Sequence, residues 1–168
     1  ASAVKFQTHI ADEETLKNAL NPSYFQDENR YDYFQRTSFT KEQLKKLKNY
    51  ARKIGIKFFS SPFSIKALHL LNNLGVEYIK IPSGEVNNLP LLEQISKKNK
   101  TVFLSTGMSS WKEIDQAVKI LKNNKLIIMQ CTSMYPCPPN KVGINIFQEF
   151  KKKYNLQLGF SDHTQGNV

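Results

Sequence analysis

Two lysines interrupt short apolar runs, in Val4-Lys5-Phe6-Gln7 and in Tyr78-Ile79-Lys80-Ile81-Pro82. A cation on the interior face of a strand is costly to desolvate unless an opposite charge meets it. A lysine near a strand end can instead snorkel to solvent, which would account for either residue singly. Two that converge on one polar mouth would clamp a doubly anionic ligand. Hydroxyl-rich words stand at five candidate strand ends: Phe59-Ser60-Ser61-Pro62-Phe63, Lys80-Ile81-Pro82-Ser83-Gly84-Glu85, Leu104-Ser105-Thr106-Gly107-Met108, Gln130-Cys131-Thr132-Ser133-Met134-Tyr135-Pro136 and Gly159-Phe160-Ser161-Asp162-His163-Thr164. Each alone is an ordinary turn. Together, at one end of a parallel sheet, they offer backbone N–H and hydroxyl donors to a phosphate or carboxylate. His163 lies just past the last of these words, where a histidine can be a ligand or a hydrogen-bonded structural residue. His9 follows the Lys5/Gln7 strand with weaker support, and His69, in Ala67-Leu68-His69-Leu70-Leu71, reads as structural. Neither Asp162 nor Glu85 belongs to an acid–base pair that spacing alone locates.

The elements that must position these residues alternate regularly. Candidate strands fall at 4–7, 56–61, 78–82, 101–105, 126–132 and 157–161. Helical patterns fall between them at 40–53, 64–73, 89–98, 111–123 and 144–153. Thr40 with Gln43 and Ser110 with Glu113 have capping-box spacing, and Ser64 suits an N-cap. Strands separated by helices of this length predict βαβ units and a parallel sheet. A flat sheet covered on both faces should read as nearly continuous Val, Ile and Leu. Here Lys5 and Gln7 share one face opposite Val4 and Phe6, Ile79 and Ile81 oppose Lys80, and Leu158 and Phe160 oppose Gly159 and Ser161. One polar face per strand fits the interior of a (β/α) barrel. With no low-complexity tract or linker, the expectation is one domain over residues 1–168.

The chain has 168 residues, a formal net charge of +10 and 40% hydrophobic residues. That suffices for a sizeable core but is short for a whole (β/α)8 barrel, which needs roughly 200 residues or more. No apolar run approaches the ~18 residues of a membrane-spanning helix. The lysines are spread over 41–53, 97–100, 112–125 and 151–153, mostly on polar helix faces, rather than gathered with aromatics as in a nucleic-acid binder. No nucleic acid and no membrane partner is expected; attraction of small anions is. Cys131 and Cys137 lack C-x-x-C spacing and a histidine partner in sequence, so no zinc site is expected. Two cysteines suit a reducing, cytoplasmic setting.

In colinear order, Ala3-Val4-Lys5-Phe6-Gln7-Thr8 and the five words above, the last running on to Gln165-Gly166, resemble the sialic acid synthase family. That family comprises N-acetylneuraminate synthases and their legionaminic and pseudaminic acid relatives. The resemblance implies a transferase on a (β/α)8 (TIM) barrel. It would condense phosphoenolpyruvate with an N-acetylated aldose, N-acetylmannosamine or a relative, to give a nonulosonic acid and phosphate, with divalent manganese or magnesium. By position, Lys5 and Lys80 match phosphoenolpyruvate-binding lysines, assisted by Ser61, Ser105 and Ser161. His163 matches one of two histidine metal ligands. Gln7, Ser83, Glu85 and Tyr135 match positions around the acceptor sugar, and Ser133 stands at a phosphate-side position where some members carry asparagine. A ligand with both phosphate and carboxylate suits two cations and several hydroxyl donors.

Six candidate strands stand against the family's eight. The motif of the family's first strand (a glutamate followed by an Asn-His pair), the eighth strand with the second histidine, and the C-terminal antifreeze-like domain have no counterpart in these residues. The resemblance therefore implies an incomplete barrel, weak or inactive by itself. Open strand edges are an association hazard, so a dimer or larger homo-oligomer is expected. The aromatic-rich stretch 21–39 reads as a lid or sugar-contacting loop, or as a packing arm. The alternatives are another phosphoenolpyruvate-dependent aldose condensation or a metal aldolase on the same barrel, and, from a different class, a non-catalytic sugar-phosphate-binding module.

Overall fold

Apolar residues two apart mark the strands, and apolar residues three and four apart mark the helices; the backbone follows both periods. The computed structural model describes residues 1–21 and 28–165. They divide into two compact units, Ala1–Glu77 and Tyr78–Val168.

The first unit holds β1 (Ala3–Thr8) and β2 (Lys57–Pro62), with α1 (Ala11–Glu14), α2 (Arg30–Thr37), α3 (Lys41–Lys53) and α4 (Ile65–Asn73). The strands pair in parallel, with Lys5 opposite Phe59 and Gln7 opposite Ser61. Alternation therefore puts these four on one face and Val4, Phe6, Phe58 and Ser60 on the other. There Phe6 stacks on Phe58 with ring centroids 5.4 Å apart, and α3 and α4 pack against β2. The expected caps are present. Thr40 and Gln43 form a complete capping box on α3, and Ser64 Oγ accepts from Ala67 N–H at 3.1 Å to start α4. The connection expected over 21–39 is partly helical, because Asn29 caps α2 by accepting from Tyr31 N–H at 2.7 Å. No residue of α2 is buried, so it has no apolar stripe for a periodicity to reveal. Residues 22–27 of that stretch, and Gly166 of the last motif, lie outside the described residues.

The second unit holds β3 (Tyr78–Ile81), β4 (Thr101–Ser105), β5 (Lys125–Cys131) and β6 (Gln157–Ser161), parallel and adjacent in chain order. α5 (Leu89–Ser96), α6 (Trp111–Ile120) and α7 (Ile146–Lys153) lie between them in sequence, with short 3-10 turns at Ser83–Glu85 and Pro139–Lys141. Ser110 and Glu113 close the second capping box. Register sets Lys80 opposite Phe103 and Ser105 opposite Met129. It also sets Met129 opposite Gly159 and Cys131 opposite Ser161. Lys80, Ser105, Cys131 and Ser161 consequently share one face. Ile79, Ile81, Val102, Leu104, Leu126 and Ile128 point the other way and are all buried. Ile128 there joins Ile114 of α6 and Phe150 of α7 in a core cluster; each such side chain contributes about 1.5–3 kcal/mol by leaving water. The helices expected at 89–98 and 111–123 end two and three residues early, in turns before the next strand, and the one expected at 144–153 starts two residues late. Among the described residues, no helix is long and apolar enough to cross a membrane.

Candidate active site

In the second unit the strand ends deliver their hydroxyl words side by side. Ser83, in the 3-10 turn after β3, accepts from Gly107 N–H at 3.1 Å and donates to Cys131 Sγ at 3.7 Å. The turns after β3 and β4 and the end of β5 are thus tied through one hydroxyl. Position 107 must be glycine for this approach, since a Cβ there would lie 2.5 Å from the Cys131 carbonyl oxygen and 2.6 Å from Ser133 Oγ. Lys80 is half-buried on the shared face. Desolvation holds its amine below the ordinary lysine pKa, with the Cys131 sulfur pulling the other way. Ser105, at the end of β4, is only 1% exposed, and its Oγ has no partner among the described residues.

His163 is anchored at two points. Its Nδ1 lies 2.9 Å from the Thr132 carbonyl oxygen, and its own carbonyl accepts from Cys137 N–H at 2.7 Å. A carbonyl only accepts, so Nδ1 donates, and in the neutral imidazole Nε2 then offers its lone pair, 3.4 Å from Ser161 Oγ. Tyr135 lies against the imidazole with ring centroids 4.3 Å apart. Asp162 serves the turn: the Thr164 N–H, at 2.9 Å, is the main reason its carboxyl sits below the usual range. Glu85 accepts from Asn88 Nδ2 at 2.7 Å, and Asn88 in turn caps α5. Ser83, Tyr135, Ser161 and His163 are therefore brought into one contact network around Cys131, with Ser133 Oγ beside Gly107.

Gln7, Lys5 and Ser61 belong to the first unit. Lys5 and Gln7 are exposed on the face of β1 opposite Val4 and Phe6, so the desolvation cost expected of an interior lysine applies to Lys80 and not to Lys5. Ser61 is fully buried, and its Oγ has no partner among the described residues. His9 is sandwiched between Phe34 and Phe63, at 4.4 and 4.2 Å, with Nδ1 held by the two Glu14 carboxylate oxygens at 2.9 and 3.1 Å. That is a packing role. His69 is exposed on α4. Sequence reasoning missed Gly107, the Thr132 carbonyl and Cys131. It gave Cys131 no histidine, yet His163 Nδ1 is 3.9 Å from its sulfur, 32 residues along the chain.

For a divalent ion the fit is partial. Nε2 of His163 offers one ligand, but among the described residues no group of three or more His, Cys, Asp or Glu side chains gathers around a metal position.

The sequence profile of the NeuB family matches residues 1–168. The chain belongs to the NeuB family. It is 37% identical to the N,N'-diacetyllegionaminic acid synthase of Campylobacter jejuni, over 99% of this chain and 53% of that protein. It superposes on the N-acetylneuraminic acid (sialic acid) synthetase of Leptospira borgpetersenii, solved with citrate, at a TM-score of 0.85 and 32% identity, over 99% of this chain and 56% of that one. A truncated 3-deoxy-D-arabino-heptulosonate 7-phosphate synthase from Thermotoga maritima, with a TM-score of 0.63 at 21% identity over 76% of this chain and 50% of that one, shares the fold alone. The fold class is accordingly α/β of the (β/α)-barrel type, with six strands among the described residues. This NeuB-family chain spans about half the length of the relatives it matches.

Proposed function

We propose that this NeuB-family protein joins phosphoenolpyruvate to an N-acetylated aldose, forming a nonulosonic acid and releasing phosphate. The observation that carries the reading is Ser105: a fully buried hydroxyl without a partner among the described residues, on the same strand face as the desolvated Lys80 amine. An unsatisfied buried hydroxyl costs about 1–3 kcal/mol, and burial disfavours the charged form of the Lys80 amine. One anionic ligand with oxygens for both removes both costs. In this reading Lys80 and Lys5 neutralise the phosphate and carboxylate, and Ser61, Ser105, Ser133 and Ser161 donate to their oxygens. Gln7, Ser83, Glu85 and Tyr135 hold the acceptor sugar. A divalent manganese or magnesium ion, when bound, would polarise the sugar aldehyde, with His163 Nε2 as one of its ligands and the others supplied from outside these residues. The enol carbon then bonds to the aldehyde carbon, water adds to the adjoining carbon, and the phosphate leaves.

We also propose that residues 1–168 make up six of the eight strands of one synthase barrel, that the working protein is a homodimer or larger, and that it acts in the cytoplasm, where free Cys131 and Cys137 persist. The test is phosphate release from phosphoenolpyruvate by the full-length protein with N-acetylmannosamine and Mn²⁺, beside Lys80→Ala and His163→Ala. Metal-dependent release abolished by both substitutions supports the reading. Release with a different aldose keeps the chemistry and changes the acceptor. No release with any N-acetylated aldose refutes it.

A further inference from the structure

Cys131 ends β5 at 5% exposure, in the middle of the contact network and outside every role given above. Its Sγ accepts the Ser83 hydroxyl proton at 3.7 Å and lies 3.9 Å from His163 Nδ1, whose own proton goes to the Thr132 carbonyl. Both sulfur distances suit a large, soft acceptor. The consequence falls on Ser83. A serine hydroxyl has one proton and two lone pairs. Its proton points inward to the sulfur, and one lone pair is taken by Gly107 N–H at 3.1 Å. What remains is a single lone pair, so Ser83 meets a ligand as an acceptor.

We propose that Cys131 is a positioning residue that turns Ser83 into a hydrogen-bond acceptor, so that Ser83 recognises a donor on the acceptor sugar, a hydroxyl or the acetamido N–H, and repels the anionic oxygens of the other substrate. This rests on the synthase reading and deepens it. Among the serines gathered at these strand ends, Ser105 has its proton free for an anion, and Ser83 does not. The two hydroxyls therefore divide the site between a ligand that carries only acceptors at its charged groups and one rich in donors. Removing the sulfur frees the Ser83 proton and abolishes the distinction.

The test is steady-state kinetics on the full-length protein, with KM measured separately for phosphoenolpyruvate and for the N-acetylated aldose. Cys131→Ala should raise the KM for the sugar about tenfold, the equivalent of one hydrogen bond, with the KM for phosphoenolpyruvate within twofold. Ser83→Ala should give the same pattern, and the double variant should be no worse than either single one. Cys131→Ser keeps an acceptor but on a shorter bond, farther from Ser83 Oγ, and should restore only part of the sugar KM. Urea midpoints of all variants separate positioning from loosened folding: a purely structural role would move both KM values with the midpoint and give no rescue by serine. A tenfold rise confined to phosphoenolpyruvate, or no change in either KM, overturns the proposal while leaving the synthase reading intact. An inactive wild-type protein overturns that reading itself.

Discussion

Gly107→Ala is the sharpest test of how the strand ends are packed. A Cβ on Gly107 would stand 2.5 Å from the Cys131 carbonyl oxygen and 2.6 Å from Ser133 Oγ, against the 3.0 Å below which real Cβ atoms are essentially never found. Ser133 Oγ is the tip of a small side chain and can rotate. The Cys131 carbonyl belongs to β5, whose Cys131 is in register with Ser161 of β6, and cannot move alone. The turn after β4 must therefore withdraw by about half an ångström or more, which draws Gly107 N–H away from Ser83 Oγ. Overpacking of this kind costs about 1–3 kcal/mol, and the weakened hydrogen bond about 1 kcal/mol more. The expected loss is roughly 2–4 kcal/mol, read as a lower urea midpoint at unchanged slope. Gly84→Ala is the matched control, since its Cβ would meet nothing within 4 Å. If Gly107→Ala costs under about 0.5 kcal/mol, the range of ordinary surface substitutions, or no more than Gly84→Ala, the close approach of these two turns is wrong.

Three further outcomes are expected. Thr40→Ala and Ser110→Ala each dismantle a capping box and should each lower stability by about 0.5–2 kcal/mol in urea unfolding; equal midpoints for wild type and both variants would count against the caps. Asp115 accepts from Lys153 Nζ at 2.8 Å and from Tyr154 O–H at 2.6 Å, and Lys153 is the first cause of its lowered pKa. A depressed carboxylate stabilises the fold above its unfolded value and loses that contribution as pH falls through the folded one. Asp115→Asn should therefore flatten the stability curve below about pH 4, checked by thermal unfolding across an acid series. Because burial lowers the Lys80 pKa, a bound anion should raise it again. Phosphoenolpyruvate binding would then take up a proton in the alkaline range and weaken as pH rises. Calorimetry in two buffers of different ionisation enthalpy reads the uptake, and its persistence in Lys80→Ala would exclude that lysine as the source.

The strands at 101–105 and 157–161, both capping boxes and the polar face carrying Lys80, Ser105 and Ser161 were legible in the residues, because each depends on neighbours one to four positions apart. So was family membership, since the strand-end words occur in colinear order. α2 was not legible, for none of its residues is fully buried and it carries no continuous apolar stripe. His9 showed only its position after β1, whereas two aromatic rings and Glu14 decide that it packs. Lys5 and Lys80 look alike in sequence, each flanked by apolar residues, and only the fold leaves one exposed and desolvates the other. The proton of Ser83, the Nδ1 donation of His163 and the burial of Ser105 Oγ without a partner among the described residues likewise came from tertiary structure alone. Local pattern determines which face a side chain takes, because backbone geometry repeats every two or 3.6 residues. What that side chain then meets depends on strand register and turn placement between residues 24 to 48 apart, such as Ser83 with Gly107 and with Cys131, and no short-range period encodes those.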